Sequence, residues 1–289
     1  MPFSKDPASY LNNCPNRVLY TVHLFGEGIE IGALAWPLSL PRNVRCRYVD
    51  VVPTEELKRI YGEYRDLIIP VDVLDDGQSL NTLGKESQDF IIANHVLEHV
   101  VNVIRSLQRW YEVLKPNGIL YLALPDWRFT ADQVRLRTPL AHLLKEFQEN
   151  LAEIPIDHCI ENLIAWNGVP PEKIDAAMIA KCRKDGVHNH CWQGDDLIEL
   201  LLYLHRNQIC KFQLADVSLP KGVFNEFILI LRKDPMGDDF WTAYGRAKYN
   251  QEIEMERRIL SLSSRQVPAE ELNSSTGQTG KPGKGEGER

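Results

Sequence analysis

The sequence of 289 residues lacks any apolar run long enough to cross a membrane. Stretches such as Ile119–Leu124 stop far short of the roughly 20 residues that a spanning helix needs. Paired cysteines are missing as well. Cys14, Cys46, Cys159, Cys182, Cys191 and Cys210 are scattered without a CxxC pair or regular spacing, a pattern that suits reduced thiols and not a disulfide framework. The opening stretch, MPFSKDPASYLNNCPNRV, has no charged-then-apolar layout of a signal peptide, so the expected location is the cytoplasm. There is no excess of positive charge: the net charge of -7 argues against nucleic acid, whose phosphates are held by clustered Lys and Arg. With 44% apolar and 25% charged residues, what remains is the composition of an ordinary globular protein without repeats.

Strand and helix patterns alternate through the first half of the chain, as in a parallel sheet covered on both faces. Strands are expected at Gly28–Ile31, Arg47–Val52, Leu67–Val73, Phe90–Ala93 and Ile119–Leu124. Pro70 inside the third removes a ladder hydrogen bond and places that strand at or near the sheet edge. Pro37 and Pro41 leave little room for a helix after the first strand. Thr54 is expected to cap a helix after the second, with Glu55 and Glu56 at its positive end. After the fourth, Val100, Val103, Ile104, Leu107, Trp110, Tyr111 and Leu114 recur three and four apart and predict a helix with one buried stripe, stopped by Lys115-Pro116-Asn117-Gly118.

The alternation then breaks. Residues from about 127 to 208 carry helical spacing (Leu140, Leu143, Leu144, Phe147, Leu151) and no strand pattern, which predicts a mainly helical insertion. Lys211–Leu219 and Val223–Arg232, joined by Pro220-Lys221-Gly222, predict an antiparallel hairpin. A polar helix is expected from Trp241 to about Leu262, closing a single domain over residues 1–262. Residues 263–289, rich in Ser, Gly, Lys and Glu, are expected to be disordered.

Open α/β sheets bind ligands beyond the carboxyl ends of their strands. The polar residues expected there are Glu30, Gly32, Asp50, Asp72, Asn94, His95 and Asp126. Asp50 follows Glu30 by twenty residues, the spacing at which an acid grips ribose hydroxyls through two hydrogen bonds. Three glycines would be needed to pack a pyrophosphate on a helix start, and Gly32-Ala33-Leu34-Ala35-Trp36-Pro37 has one. That favours a mononucleoside ligand over a dinucleotide.

Glu30-Ile31-Gly32, Asp50, Asp72 and Ala93-Asn94-His95-Val96-Leu97-Glu98-His99, with Leu114-Lys115-Pro116-Asn117-Gly118 before the fifth strand, together resemble the class I S-adenosylmethionine-dependent methyltransferases of the methyltransferase type 11 group. The resemblance covers about Gly28 to Asp126. It implies a Rossmann-like α/β fold: a seven-stranded, mostly parallel sheet in the order three, two, one, four, five, seven, six, with an antiparallel last strand and helices on both faces. It also implies S-adenosylmethionine as cofactor, with Glu30 and Gly32 beside its methionine part, Asp50 on the ribose, Asp72 near the adenine amino group, and Asn94 and His95 beside methionine and acceptor. EIGALAWPL and RTPLAHLL are similar to a bacterial subgroup found near glycosyltransferases, which implies a small-molecule, sugar or glycan acceptor.

Methyl transfer depends mainly on positioning two reactants, and a base is needed only when the acceptor must lose a proton. His95 is the first candidate. His99, one turn on, either joins it or is a structural residue bonded to the backbone, and Glu98 caps or pairs in the first turn. Val187-His188-Asn189-His190-Cys191-Trp192 invites a metal reading, an acceptor-pocket role for His190, or a packed loop before a helix capped by Asp195 or Asp196. Without a second ligand pair at suitable spacing, no metal is assigned. Two other classes compete: a Rossmann NAD-dependent oxidoreductase, opposed by the single-glycine loop, and a methyltransferase-like binding module without activity.

Overall fold

A computed structural model describes residues 16–220, 225–233, 239–241, 245 and 249. The expected terminal helix, apart from Trp241, Gly245 and Tyr249, and the expected disordered tail lie outside the described residues. Short helix α1 (Asn16–Leu19) leads into strand β1 (Glu27–Ile31) and β2 (Arg45–Asp50), followed by α2 (Thr54–Ile60) and β3 (Val73–Leu74). Strand β4 (Gln88–Asn94), helix α3 (Val103–Val113) and β5 (Leu114–Pro125) come next. Four helices then fill the insertion: α4 (Leu140–Glu149), α5 (Ile156–Ala165), α6 (Ala176–Asp185) and α7 (Gly194–Arg206). Strands β6 (Phe212–Ser218) and β7 (Glu226–Lys233) complete one seven-stranded sheet in the order β3-β2-β1-β4-β5-β7-β6. Strand β7 pairs antiparallel with both β5 and β6, and the other pairings are parallel. This is the Rossmann-like order expected from the sequence.

The sheet is buried on both faces because the middles of β4, β5 and β7 carry runs of apolar residues. Phe90, Ile92, Ile119, Tyr121, Ile228 and Ile230 pack on one face against Tyr20, Leu24 and Leu38. Ile91, Ala93, Leu120 and Leu122, which alternate with them, are fully buried and point to the opposite face. Helix α3 contributes Val103, Ile104, Leu107, Trp110 and Val113, all buried at the three-and-four spacing that the sequence predicts. Asn102 caps it by accepting from Arg105 N–H, and Trp110 Nε1–H donates to Gly77 O at 2.8 Å.

Three local expectations need correction. Strand β3 is two residues long and not Leu67–Val73: the chain turns through Gly62–Leu67, and Pro70 has no N–H to offer the ladder. It does form the sheet edge. Asp72 therefore precedes β3 instead of ending it; its exposed side chain accepts from Tyr48 N–H at 2.9 Å, and the carboxyl end of the strand leads to Asp75 and Asp76. Thr54 is the first residue of α2 and not its cap, since its hydroxyl accepts from Val71 N–H. At α7 the cap is Gln193, with Asp196 returning to Gln193 N–H.

Trp110→Ala removes the largest side chain that α3 buries and the bond to Gly77. Urea unfolding should show a loss of about 3–5 kcal/mol; a loss below about 1 kcal/mol would mean that α3 is not seated on the sheet as described.

Candidate active site

The carboxyl ends of β1, β2 and β4 lie side by side through the register Ile31↔Val49 and Ile31↔Ala93. Gly32 follows β1 with φ +63°, and an added Cβ would meet nothing closer than Val96 Cγ2 at 3.8 Å, so the backbone faces open space there. Gly32 N–H donates to Val49 O, and no helix forms before β2. Glu30 is buried beneath this loop. Its carboxylate accepts from Leu38 N–H at 3.0 and 3.1 Å and from Asn94 Nδ2 at 3.2 Å. Burial nevertheless pushes Glu30 up to about 7. Asn94 Oδ1 is buried without a hydrogen-bond partner. At the end of β2, half-buried Asp50 accepts from Val52 N–H, and burial raises its carboxyl above the usual range.

His95 turns the chain away from the sheet with φ +53°, a left-handed conformation uncommon for a residue with a side chain and often seen where structure is held for function. Its N–H donates to Ala123 O, and its Nε2–H donates to Glu226 Oε2 at 2.9 Å. Glu226 is in turn gripped by Arg17, whose Nε lies 2.8 Å from Oε1 and whose Nη2 reaches Oε2. Burial opposes charge on Glu226, but the bonds from His95 and Arg17 and the charge of Arg17 hold it at about 2. An ionised Glu226 fixes the His95 proton on Nε2 and leaves Nδ1 as the accepting nitrogen.

Beside His95 lies Glu98, whose Oε1 is 3.7 Å from His95 Nδ1. Glu98 is 1% exposed, and neither of its carboxylate oxygens has a hydrogen-bond partner. Burial pushes it up to about 7. His99 Nδ1–H donates to Val187 O, which makes it the backbone-bonded residue that was one of its two readings. His99 stays open to solvent, yet the protein around it, followed by neighbouring His188, holds its imidazole down at about 4. His188 meets His99 edge-on at 4.7 Å and donates from Nδ1 to Asp132 at 2.7 Å. Burial works against charge on Asp132, but bonds from His188, Arg135 and Trp166 hold it at about 2.

His190, expected in the acceptor pocket, is placed elsewhere. It is fully buried, with Nε2 2.9 Å from Glu146 Oε2, among His142 and His158 of the insertion. His188, not His190, reaches the His95 side. Among the described residues two groups could hold a metal ion: His142, Glu146, His158 and His190, and separately Glu98, His99 and His188. The sequence reading missed Arg17, Asp132, Glu146 and Glu226. Only the His142-x-x-x-Glu146 spacing, two ligand types on one helical face, carried a local signal.

Residues 28–122 match the family model described as a methyltransferase domain. The matched region and the strand order are those of a class I methyltransferase domain. Its family implies S-adenosylmethionine as methyl donor. Solved structures similar to this methyltransferase include a SAM-dependent methyltransferase from Thermotoga maritima, described as a possible histamine N-methyltransferase (15% identity, 78% of this chain and 94% of that one, TM-score 0.42). Another is a SAM-dependent methyltransferase from Methanosarcina mazei (18%, 75% and 97%, TM-score 0.43). A third, from Rhodobacter sphaeroides, is titled among putative Zn-dependent alcohol dehydrogenases (17%, 81% and 91%, TM-score 0.47). At these TM-scores the superpositions carry no weight beside the strand order. No curated protein sequence matches the chain.

Glu98 and Glu30 titrate above the usual carboxyl value, so between about pH 5 and pH 7 the folded methyltransferase holds protons that the unfolded chain has released. Stability contributed by the neutral acids is complete below that window and falls as pH rises through it. Glu98→Gln should flatten the fall, with a relative gain on the order of 2–3 kcal/mol at about pH 8. Unfolding curves across that range check this, and an unchanged slope would mean that Glu98 is ionised throughout.

Proposed function

We propose that this methyltransferase transfers a methyl group from S-adenosylmethionine to a hydroxyl of a small polyhydroxylated molecule, a sugar or glycan. The carrying observation is His95: its proton is committed to Glu226 and its Nδ1 lies 3.7 Å from Oε1 of Glu98, which groups with His99 and His188. A hydroxyl acceptor must lose a proton, and an imidazole oriented by an ionised carboxylate is suited to take it. The neutral Glu98 carboxyl and the remaining imidazole nitrogens supply the hydrogen-bonding groups that a polyol needs on entering a pocket.

The residues present fit the donor. Gly32 offers a backbone cradle that a side chain would fill, and the orphaned Asn94 Oδ1 offers an acceptor to the donor's ammonium. In this reading Glu30 positions the loop above it and Asn94 beside it, Asp50 holds the ribose diol, and the adenine lies toward Asp76 instead of the displaced Asp72. When bound, S-adenosylmethionine supplies an activated methyl on a sulfonium. His95 is the catalytic base and Glu226 its positioning residue; Arg17 keeps Glu226 ionised. His190, sealed from solvent, has no place in this step. A dinucleotide is disfavoured because no helix N-terminus follows β1 to receive a pyrophosphate.

Titration calorimetry should detect binding of S-adenosylhomocysteine and none of NAD. Asp50→Ala should weaken that binding by roughly 1.5–3 kcal/mol through loss of charged hydrogen bonds. In a methyl-transfer screen over sugar nucleotides and oligosaccharides, His95→Asn should lower kcat about 10²–10⁴-fold while adenosyl binding persists. Micromolar NAD binding without response to the adenosyl ligand would overturn the cofactor, and an unimpaired His95→Asn enzyme would overturn the base.

A further inference from the structure

We propose that His142, Glu146, His158 and His190 bind one divalent transition-metal ion of the zinc class, in a closed tetrahedral site that fastens the helical insertion together. This proposal is independent of the methyl donor and acceptor. The ligand atoms converge from three parts of the chain. His142 and Glu146, four apart on α4, share a face; His158 comes from α5, and His190 from the segment before α7. His142 Nε2 lies 3.1 Å from Glu146 Oε1 and 3.1 Å from His158 Nε2. His158 Nε2 lies 3.6 Å from Glu146 Oε1, and His190 Nε2 lies 2.9 Å from Glu146 Oε2. One ligand atom from each of the four residues falls within 4.8 Å of the others. Metal–ligand bonds of 2.0–2.1 Å in a tetrahedron put neighbouring ligand atoms about 3.3–3.4 Å apart. The observed separations bracket that value.

Hydrogen bonds alone serve this group poorly. The Nε2 atoms of His142 and His158 face each other and the same carboxylate oxygen, so at most one proton satisfies three atoms. His158 Nδ1 and His190 Nδ1 are both buried without a partner, a condition that costs roughly 1–3 kcal/mol for each group. A cation at the centre uses all three Nε2 lone pairs and moves the ring protons to Nδ1. Asn189, whose side chain bears on His158, has a buried Oδ1 with no donor that can then take His158 Nδ1–H. Trp192 stacks on His190 at 5.4 Å, and Asn102 Nδ2–H donates to Glu146 O, so two of the ligands are held by residues outside the set.

Four protein ligands and no obligatory open position mark a structural site. The insertion has need of one: its own apolar cluster buries only Cys159, Leu163, Cys182 and Val187, with partly buried residues such as Ile154 and Met178 packed around them. A cavity of about 580 Å³ reaches His142, Glu146 and His158, with Glu149, Asp157 and Arg183 on its wall, and gives the ion a way in.

The test uses the full chain loaded with Zn²⁺, dialysed, and assayed for metal content, with Co²⁺ substitution reporting coordination in the unmutated protein. Expected are one equivalent of Zn²⁺, an intense four-coordinate Co²⁺ spectrum, and a lower unfolding temperature after chelation that added Zn²⁺ restores. His158→Ala and Glu146→Gln should weaken binding more than about 100-fold, beyond what loss of an outer-shell partner does, while His188→Ala keeps the full equivalent. Absence of stoichiometric metal, a weak six-coordinate Co²⁺ spectrum, or loss of metal in His188→Ala with retention in His158→Ala would each overturn the proposal.

Discussion

Glu226 and Arg17 form an ion pair buried at the end of the sheet, joining residues 209 apart in the chain. Such a pair tolerates little change, because removing either partner strands a charge in a low-dielectric setting at a typical loss of about 3–5 kcal/mol. Tyr121, inside β5, donates its hydroxyl to Arg17 O and ties the pair to the sheet centre. His95 is the third member, and its left-handed backbone aims the ring at Glu226. The start of β7, the short α1 and the turn after β4 are thereby fixed to one another. The polarity of the site follows from this: one carboxylate kept ionised, one imidazole held in a single tautomer, and Glu98 beside them pushed up to about 7 by burial.

A second charged clamp holds the insertion itself together. Arg135 donates to Asp132, Glu161 and the backbone carbonyls of His188 and Asn189. Trp192 bridges to Asp126 at the end of β5, and His190 N–H donates to Glu98 O. The segment 188–192 is thus pinned along its length. It gives His188 to the methyltransferase site and His190 to the His142–Glu146–His158 group, two neighbouring histidines serving different places.

Legibility in the sequence followed the range of the forces involved. The stripe on α3, the apolar centres of β4 and β5, and the β6–β7 hairpin were readable because their residues are close in sequence and strongly patterned. Strand β3 was not: its apolar run Leu67–Val73 looks like a strand, but Pro70 and the tight turn before it leave two residues able to pair. Asp72 moved ahead of the strand with that boundary. Thr54 had the chemistry of a cap and spent its hydroxyl on Val71 instead. Gly32, Asp50, Asn94 and His95 do lie at or just beyond strand ends, where open sheets keep their ligands.

By itself the sequence determined the class of fold, the family, and the four positions where a strand end meets a polar residue, since burial periodicity and turn chemistry are local properties. Tertiary structure alone decided which charges face one another. Glu226 beside His95, Asp132 beside His188 and Glu146 beside His158 and His190 are pairings across distances for which no spacing rule exists. They arise because a buried charge must find its partner wherever the packed chain brings one within hydrogen-bonding reach.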